Sequence, residues 1–170
     1  MNLYDLHPNP TQAPGYEQRL SVPQIAYEEA MKKYKRTRKR SPELEPVIAK
    51  DPHTAYSYAY FVVHERWPEG EAALAKSPRW GFNYAAYVIH RRFPDGESAI
   101  ATDAKQAYYY ARDVIRGRWP KGEPVIAKNA EWAFEYATHV VHGRFDKAER
   151  AIARHPKWRE LYFMKFGVPL

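Results

Sequence analysis

The stretch RWPEGEAAL at residues 66–74 decides the fold, because copies of it return along the chain at a fixed interval. RRFPDGESAI stands at 91–100 and GRWPKGEPVI at 117–126, with more distant copies, KRSPELEPVI and GRFDKAERAI, at 39–48 and 143–152. A fixed period of this length indicates a repeat architecture, in which units stack because none can bury its apolar face alone. The glutamates of the five copies stand 26 residues apart, at Glu45, Glu71, Glu97, Glu123 and Glu149.

Each repeat is predicted to hold a short helix followed by a long one. In the first unit the short helix is expected over 43–50 and the long helix from Pro52 to about Arg66. Asp51 is a good N-cap, and proline fits the first helical position, where its missing N–H is not needed. The sequence therefore predicts an all-α fold, a right-handed α-solenoid of five short–long helix pairs. The expected units lie at about 42–67, 68–93, 94–119, 120–145 and 146–170.

The two ends of the chain depart from the repeat. VPQIAYEEA at 22–30 is similar to DPHTAYSYA at 51–59 but lies 29 residues before it, which predicts a basic capping helix within 21–41, about one turn longer than its counterparts. The proline-rich residues 1–20 are expected to form an extended N-terminal arm. At the other end, Phe163 and Phe166 are expected to cover the last core layer.

The arginine of each repeated word is expected to project toward the stacked face and to pair with a repeated glutamate, in its own or an adjacent unit. A buried cation needs such a partner. The alternative is that each arginine binds an anion. We favour the structural interpretation, because a single active site has no reason to recur in every unit. The following aromatic ring would fill the corner, and the glycine would supply a permissive backbone.

One side of the long helices varies from unit to unit, whereas the opposite side is nearly constant. Exposed aromatic residues near arginine are typical of protein-binding hot spots, and they also stack on nucleic-acid bases. A third interpretation is that the N-terminal arm or a neighbouring subunit covers them. The candidate partner-binding residues are Tyr60, Phe61, His64, Tyr87, His90, Tyr109, Arg112, Arg116 and His142.

Three of these candidates, His64, His90 and His142, share one position in the repeat. Helices in adjacent units lie about 10 Å apart, whereas zinc ligands stand about 2.0–2.1 Å from the metal. We therefore expect an exposed basic column and neither a metal site nor a proton relay. The sequence contains no HExxH, glycine-rich phosphate loop or GxSxG motif. It predicts no catalytic residues and no cofactor, so an enzyme is the least favoured class.

The segment KKYKRTRKR at 32–40 is the strongest charge signal in a chain of net charge +7. It is interpretable either as a solvated helix end that complements the helix dipole or as a patch that contacts phosphates. No known base-reading module accompanies it, so nucleic-acid binding would be independent of sequence. The candidate nucleic-acid-binding residues are Lys32, Lys33, Lys35, Arg36, Arg38, Lys39, Arg40 and Arg91.

Composition favours a cytoplasmic protein without membrane association. The chain has 170 residues and no cysteine. It contains no apolar run near the 18 or so residues that a membrane span needs. Its N-terminus lacks the basic and apolar regions of a secretory signal. The oligomeric state stays open at this point.

The stretch AYYYARDVIRGRWPKGEPVIAKNAEWAFEYATHVV (107–141) resembles tandem 26-residue helical repeats of the YARDVI–RWPEGEPVIAK type in tailed bacteriophages. The resemblance spans about residues 22–166 and implies an all-helical array, a viral source and the host cytoplasm. It implies no catalytic residues. The first unit departs from the pattern at Ser41 and at 61–63, and the last unit at Asp146. The function expected from the sequence is a non-catalytic scaffold that binds a protein partner, with sequence-independent RNA or DNA binding as the alternative.

Overall fold

The computed structural model describes residues 20–170, and within that range the chain is all-α with no β-strand. The predicted N-terminal arm lies outside the described residues except for Leu20, which is exposed. The α-helices are α1 (Val22–Thr37), α2 (Glu45–Ile48), α3 (Pro52–Tyr58), α4 (Pro68–Leu74), α5 (Pro78–Tyr87), α6 (Glu97–Ile100), α7 (Ala104–Tyr109), α8 (Glu123–Ile126), α9 (Ala130–Tyr136), α10 (Asp146–Ala153) and α11 (Pro156–Phe166).

Side-chain caps start the long helices where the sequence predicts. The carboxylate of Asp51 accepts a hydrogen bond from the Thr54 backbone N–H at 2.9 Å. Ser77, Asp103 and Asn129 cap α5, α7 and α9 in the same way, and each satisfies an N–H that the helix leaves unpaired. His155 stands in this position before α11 and makes no such bond.

The long helices end differently from the prediction, in a widened final turn. Helix α3 continues as a π-helical segment over Ala59–Val63, and α7 and α9 continue likewise over Tyr110–Ile115 and Ala137–Val141. The prediction that the first long helix reaches Arg66 is therefore wrong. The π turn ends the helix early, and Arg66 lies in the loop that follows.

A residue in the left-handed conformation stands at the end of each of the first five long helices, α1, α3, α5, α7 and α9, with or without a π segment, and none of these residues is glycine. Their φ angles lie between 50° and 61°. This conformation costs roughly 1–2 kcal/mol for an ordinary residue, because Cβ approaches the following carbonyl oxygen. An exposed basic side chain therefore occupies this helix-ending position in α1 and in the first four units, whereas Gly167 takes it after α11. The five residues are Arg38, His64, His90, Arg116 and His142.

Every long helix packs on the long helices before and after it in the chain, in the order α1, α3, α5, α7, α9 and α11. The short helices α2 and α4 also contact each other. The residues at constant repeat positions fill the space between the helices and are fully buried, including Ile48, Leu74, Ile100, Ile126 and Ile152. Neighbouring units therefore share one continuous core.

The last long helix carries larger side chains than the other long helices at the positions where a following helix would pack. Ala55 of α3 and Ala59 of the π segment that follows it are buried and allow the next helix to approach, but α11 carries Arg159 and Phe163 at the equivalent positions. Phe163 is 51% exposed, so the prediction that it covers the core is wrong. Phe166 packs on Tyr162 with ring centroids 4.8 Å apart and is half-buried.

Candidate binding surfaces and the repeated joint

A three-residue network, which we call the joint, links the repeated glutamate and tyrosine of each unit to the repeated arginine that precedes that unit. In the second unit, Oε1 of Glu71 accepts hydrogen bonds from Arg66 Nε at 2.7 Å and from the Tyr84 hydroxyl at 2.9 Å. Oε2 accepts from Arg66 Nη2 at 2.8 Å. The Tyr84 hydroxyl in turn accepts the backbone N–H of Trp67 at 2.7 Å. The other joints are Arg40–Glu45–Tyr58, Arg92–Glu97–Tyr110, Arg118–Glu123–Tyr136 and Arg144–Glu149–Tyr162.

The predicted arginine–glutamate pairing is confirmed and joins the end of one unit to the start of the next, but the buried partner is the carboxylate. The side chain of Arg66 is 53% exposed, whereas that of Glu71 is 10% exposed. The prediction of a buried cation is therefore wrong. The helix ends before Arg66, so the guanidinium reaches the carboxylate from the solvent side and supplies the donors that a buried anion needs.

The tyrosine hydroxyls are the part of the joint that sequence reasoning missed. Each occupies a constant position 13 residues after its glutamate, which was the available signal. Tyr136 donates to Glu123 at 3.3 Å and accepts from the Trp119 backbone N–H at 2.8 Å. Its ring is fully buried. One hydroxyl thus satisfies both a buried carboxylate and a loop amide.

The charges of the joint are fixed by these contacts. The hydrogen bond from Arg66 lowers the pKa of Glu71 and outweighs the opposing effect of burial. Burial alone would raise the pKa of Glu123, but hydrogen bonds from Lys147 and Arg118 leave it below the ordinary value. Burial raises the pKa of Tyr136 to about 12. The lowered pKa values keep Glu71 and Glu123 ionised at neutral pH, and the raised pKa of Tyr136 keeps its phenol a neutral donor, which suits a structural network.

The repeated glycines are required by a close approach and not by an unusual backbone conformation. Gly122 has φ −88° at the start of α8, a value that any residue adopts. A Cβ there would lie 2.3 Å from Cε3 of Trp119, and one at Gly96 would lie 2.4 Å from Cδ1 of Phe93. The aromatic ring rests on the glycine three residues later, so the expected permissive backbone is the wrong explanation.

The variable surface of the long helices is only partly exposed. Phe61 and Tyr87 are 42% and 37% exposed, whereas Tyr60 and Tyr109 are half-buried. Tyr60 packs on Phe61 with centroids 4.8 Å apart. Tyr109 packs on Phe82 and Trp132 of the neighbouring units, at 5.9 and 5.7 Å. Stacking between units therefore occupies Tyr109, ring packing within the first unit half-buries Tyr60, and Phe61 and Tyr87 stay accessible.

Arg112 is already engaged at its place on the variable surface. Its guanidinium lies 4.7 Å from the ring centroid of Tyr109 and donates to both carboxylate oxygens of Asp113, at 2.6 and 2.9 Å. A cation held over a ring is a common element of recognition surfaces. Arg112 therefore offers an ordered side chain rather than a free charge.

The predicted histidine column consists of the left-handed residues that end the long helices. All four side chains, those of His64, His90, Arg116 and His142, are exposed, and His64 is in addition hydrogen-bonded to the Tyr34 hydroxyl, 3.0 Å from its Nε2 atom. Within residues 20–170, no group of three or more histidines or carboxylates is placed to hold a metal ion.

Three of the seven cations in the basic segment (32–40) contact other side chains of the protein, and we call these engaged. Lys33 bonds to Glu43 at 2.7 Å, Arg40 belongs to the first joint, and Arg38 lies 5.7 Å from the ring centroid of Tyr34. The four other cations are exposed and form no ion pair within the described part of the chain. Three of them share one face of α1, and the fourth follows shortly after the helix. These residues are Lys32, Lys35, Arg36 and Lys39.

Arg91 lies apart from the basic segment with which the sequence grouped it. It lines a cavity of about 300 Å³ together with Arg66, Arg92 and Asp95, between the second and third joints. The cavity holds both signs of charge, since Asp95 and the two joint carboxylates, Glu71 and Glu97, lie beside its three arginines. It does not extend the patch at 32–40.

Comparison with known proteins does not identify a relative: no family model, no curated protein and no solved structure matches this chain. Among residues 20–170, no helix has the length and apolar character that crossing a bilayer requires.

Proposed function

We propose that the chain is a non-catalytic scaffold, a right-handed α-solenoid of five helix pairs capped by α1, that binds a protein partner through the variable surface of its long helices. The resemblance to tailed-phage repeats supports a phage-encoded protein that acts in the host cytoplasm. The order of packing between consecutive long helices supports the solenoid arrangement. The saturated joints support the absence of catalysis at the repeated residues.

One observation carries this proposal. The residues that recur in every unit satisfy one another, whereas exposed aromatic side chains stand at positions that differ between units. Phe61 and Tyr87 occupy one such position, and its other occupants are Asp113, His139 and Lys165. Aromatic anchors of this kind contribute most of the energy of many interfaces. A partner would contact the side chains that vary between units and make no contact with the joints.

Replacing both anchors tests the proposal. The double variant Phe61→Ser/Tyr87→Ser is expected to lose the proteins that the unaltered chain captures from nuclease-treated lysate of infected cells, because hot-spot truncations cost about 2 kcal/mol or more each. Phe163→Ser is the matched control, since Phe163 is 51% exposed but lies outside the variable surface. Capture of the same proteins by the double variant would contradict the proposal.

Sequence-independent nucleic-acid binding is the second candidate function, and the four unengaged cations of the basic segment favour it. Lys32, Lys35 and Arg36 present their charges on one face, and Lys39 follows. Such a cluster neutralises phosphates and releases counterions, whatever the base sequence. The exposed position and the absence of ion pairs are what a phosphate contact requires.

Salt dependence measures this activity. If all four cations contact phosphates, changing them to glutamine should flatten the slope of log K against log salt by about 0.7–0.9 for each phosphate that the variant no longer neutralises. The control variant changes four other exposed cations to glutamine, so that both variants have the same net charge. These cations stand at the ends of short helices and are Lys50, Lys76, Lys128 and Arg154. Absence of RNA and DNA binding at low salt, or equal losses in both variants, would exclude the basic segment.

A further inference from the structure

An open groove of about 730 Å³ lies between the short helices of the first two units. Its walls are largely alanine and proline, including Pro46 and Ala49 from the first unit and Ala72 and Ala73 from the second. Of the charged lining residues, Glu45 and Glu69 stand at the N-terminal ends of α2 and α4, and Lys50 and Lys76 follow their C-terminal ends. The volume falls within the range of about 300–1,000 Å³ that is usual for ligand sites.

The equivalent place in the last two units shows what this groove can hold. There, Lys147 crosses from the fifth unit to the fourth, and its Nζ donates to Oε2 of the buried Glu123 at 2.8 Å. Lys121 crosses in the same manner from the fourth unit to Ser98 Oγ of the third, at 3.1 Å. The chain therefore closes these two positions with a lysine of its own.

In the first two units that lysine is replaced by a glutamate. Glu69 stands 52 and 78 residues before Lys121 and Lys147, at the same repeat position, and its side chain forms no ion pair or hydrogen bond among residues 20–170. Glu45 corresponds to Glu123. Its Oε2 accepts a hydrogen bond from Arg40 Nη2 at 2.9 Å, and the Trp67 side chain also contacts the carboxylate. No lysine reaches Glu45 from the second unit, whereas Lys147 reaches Glu123 from the fifth.

We propose that this groove binds one lysine or arginine side chain of an extended segment of a partner polypeptide. The cation takes the place of the missing lysine, between Glu45 and Glu69, and the segment lies along the alanine and proline wall. Lys50 and Lys76 after the C-terminal ends of the two helices repel a second cation, so the groove selects a segment with a single basic residue rather than a polybasic one. Apart from Pro52, the lining belongs to the short helices and the turns beside them, so this surface is separate from the variable one.

A random hexapeptide library displayed on phage and panned against the immobilised protein tests the proposal. The enriched peptides are expected to share one lysine or arginine. Their dissociation constants, measured as synthetic peptides, should rise about tenfold or more on Glu69→Lys, because the new lysine bonds to Glu45 and closes the groove. Glu69→Gln should weaken binding as well, since it removes the charge at nearly constant volume.

Two controls isolate the groove. Glu160→Lys makes the same charge change on an exposed residue of α11 and should leave the affinity unchanged. Phe61→Ser/Tyr87→Ser should also leave it unchanged, which separates this site from the proposed scaffold function. Circular dichroism checks that Glu69→Lys is folded, as expected from the lysines at its repeat equivalents. The proposal is overturned if no peptide is enriched, if the enriched peptides lack a basic residue or are polybasic, or if Glu69→Lys binds them equally.

Discussion

Gly122→Ala is expected to destabilise the protein by about 3 kcal/mol, the upper end of the usual effect of overpacking a core. The added Cβ would lie 2.3 and 2.7 Å from two atoms of the Trp119 ring and 3.2 Å from the Ala107 side chain. Trp119 is only 3% exposed, so its ring cannot move aside without displacing its neighbours. Chemical denaturation followed by circular dichroism measures the loss as a lower midpoint.

Gly117→Ala provides the matched control, because Gly117 lies five residues earlier in the same connection between the long helix and α8. No atom lies within 4 Å of the position that its Cβ would take, and the backbone there does not have positive φ. Alanine at such a site restricts the unfolded chain and should stabilise the protein by about 0.4–1 kcal/mol. The pair should therefore move the midpoint in opposite directions. Equal small effects would mean that the ring does not rest on Gly122.

Glu123→Ala is expected to destabilise the protein by about 2–3 kcal/mol. The side chain of Glu123 is 1% exposed and accepts hydrogen bonds from Arg118, Lys147 and Tyr136. Breaking a fully buried ion pair costs about 3–5 kcal/mol, but the two cations here are more than half exposed and remain hydrated. What remains is the Tyr136 hydroxyl without its acceptor, at about 1–3 kcal/mol, and the cavity left by the side chain.

The surface pair of Lys33 and Glu43 gives the comparison for this prediction. Its side chains are 38% and 58% exposed, so Glu43→Ala should change the free energy of unfolding by about 0–1 kcal/mol. The same denaturation experiment measures both variants. If Glu123→Ala proved as mild as Glu43→Ala, the carboxylate would not be a structural part of the joint.

The all-α fold and the arginine–glutamate pairs could be predicted because they depend on local, repeated signals. Asp51, Ser77, Asp103 and Asn129 cap helices through bonds to residues three positions later, and such spacing is visible in a sequence. The fixed period placed each arginine five residues before its glutamate. Repetition also separated the buried positions from the variable ones.

Backbone geometry at the helix ends could not be predicted in this way. No single residue in the π turn over Ala59–Val63 signals a widened helix. Histidine and arginine at the left-handed position are also weaker sequence signals of a helix end than glycine. Because the helix ends early, the repeated arginine lies in the loop and pairs with the buried glutamate from the solvent side.

The state of each candidate binding residue also depended on contacts between units. Tyr109 and Phe61 are both aromatic residues of the variable surface, yet Tyr109 packs between Phe82 and Trp132 whereas Phe61 stays exposed. In the basic segment, the ion pair between Lys33 and Glu43 joins residues ten positions apart across a helix end. Charge counting alone does not reveal which lysines are engaged.

Amide hydrogen exchange tests the joints, the central element of this account, most directly. The backbone N–H groups of Ser41, Trp67, Phe93, Trp119 and Phe145 lie outside the helices, and each donates to a buried tyrosine hydroxyl. We expect all five amides to exchange slowly, with Tyr136→Phe accelerating Trp119 far more than the other four, because buried hydrogen bonds protect amides until the structure opens. Exchange of these amides as fast as that of the unbonded Arg118 amide in the unaltered protein would contradict the account.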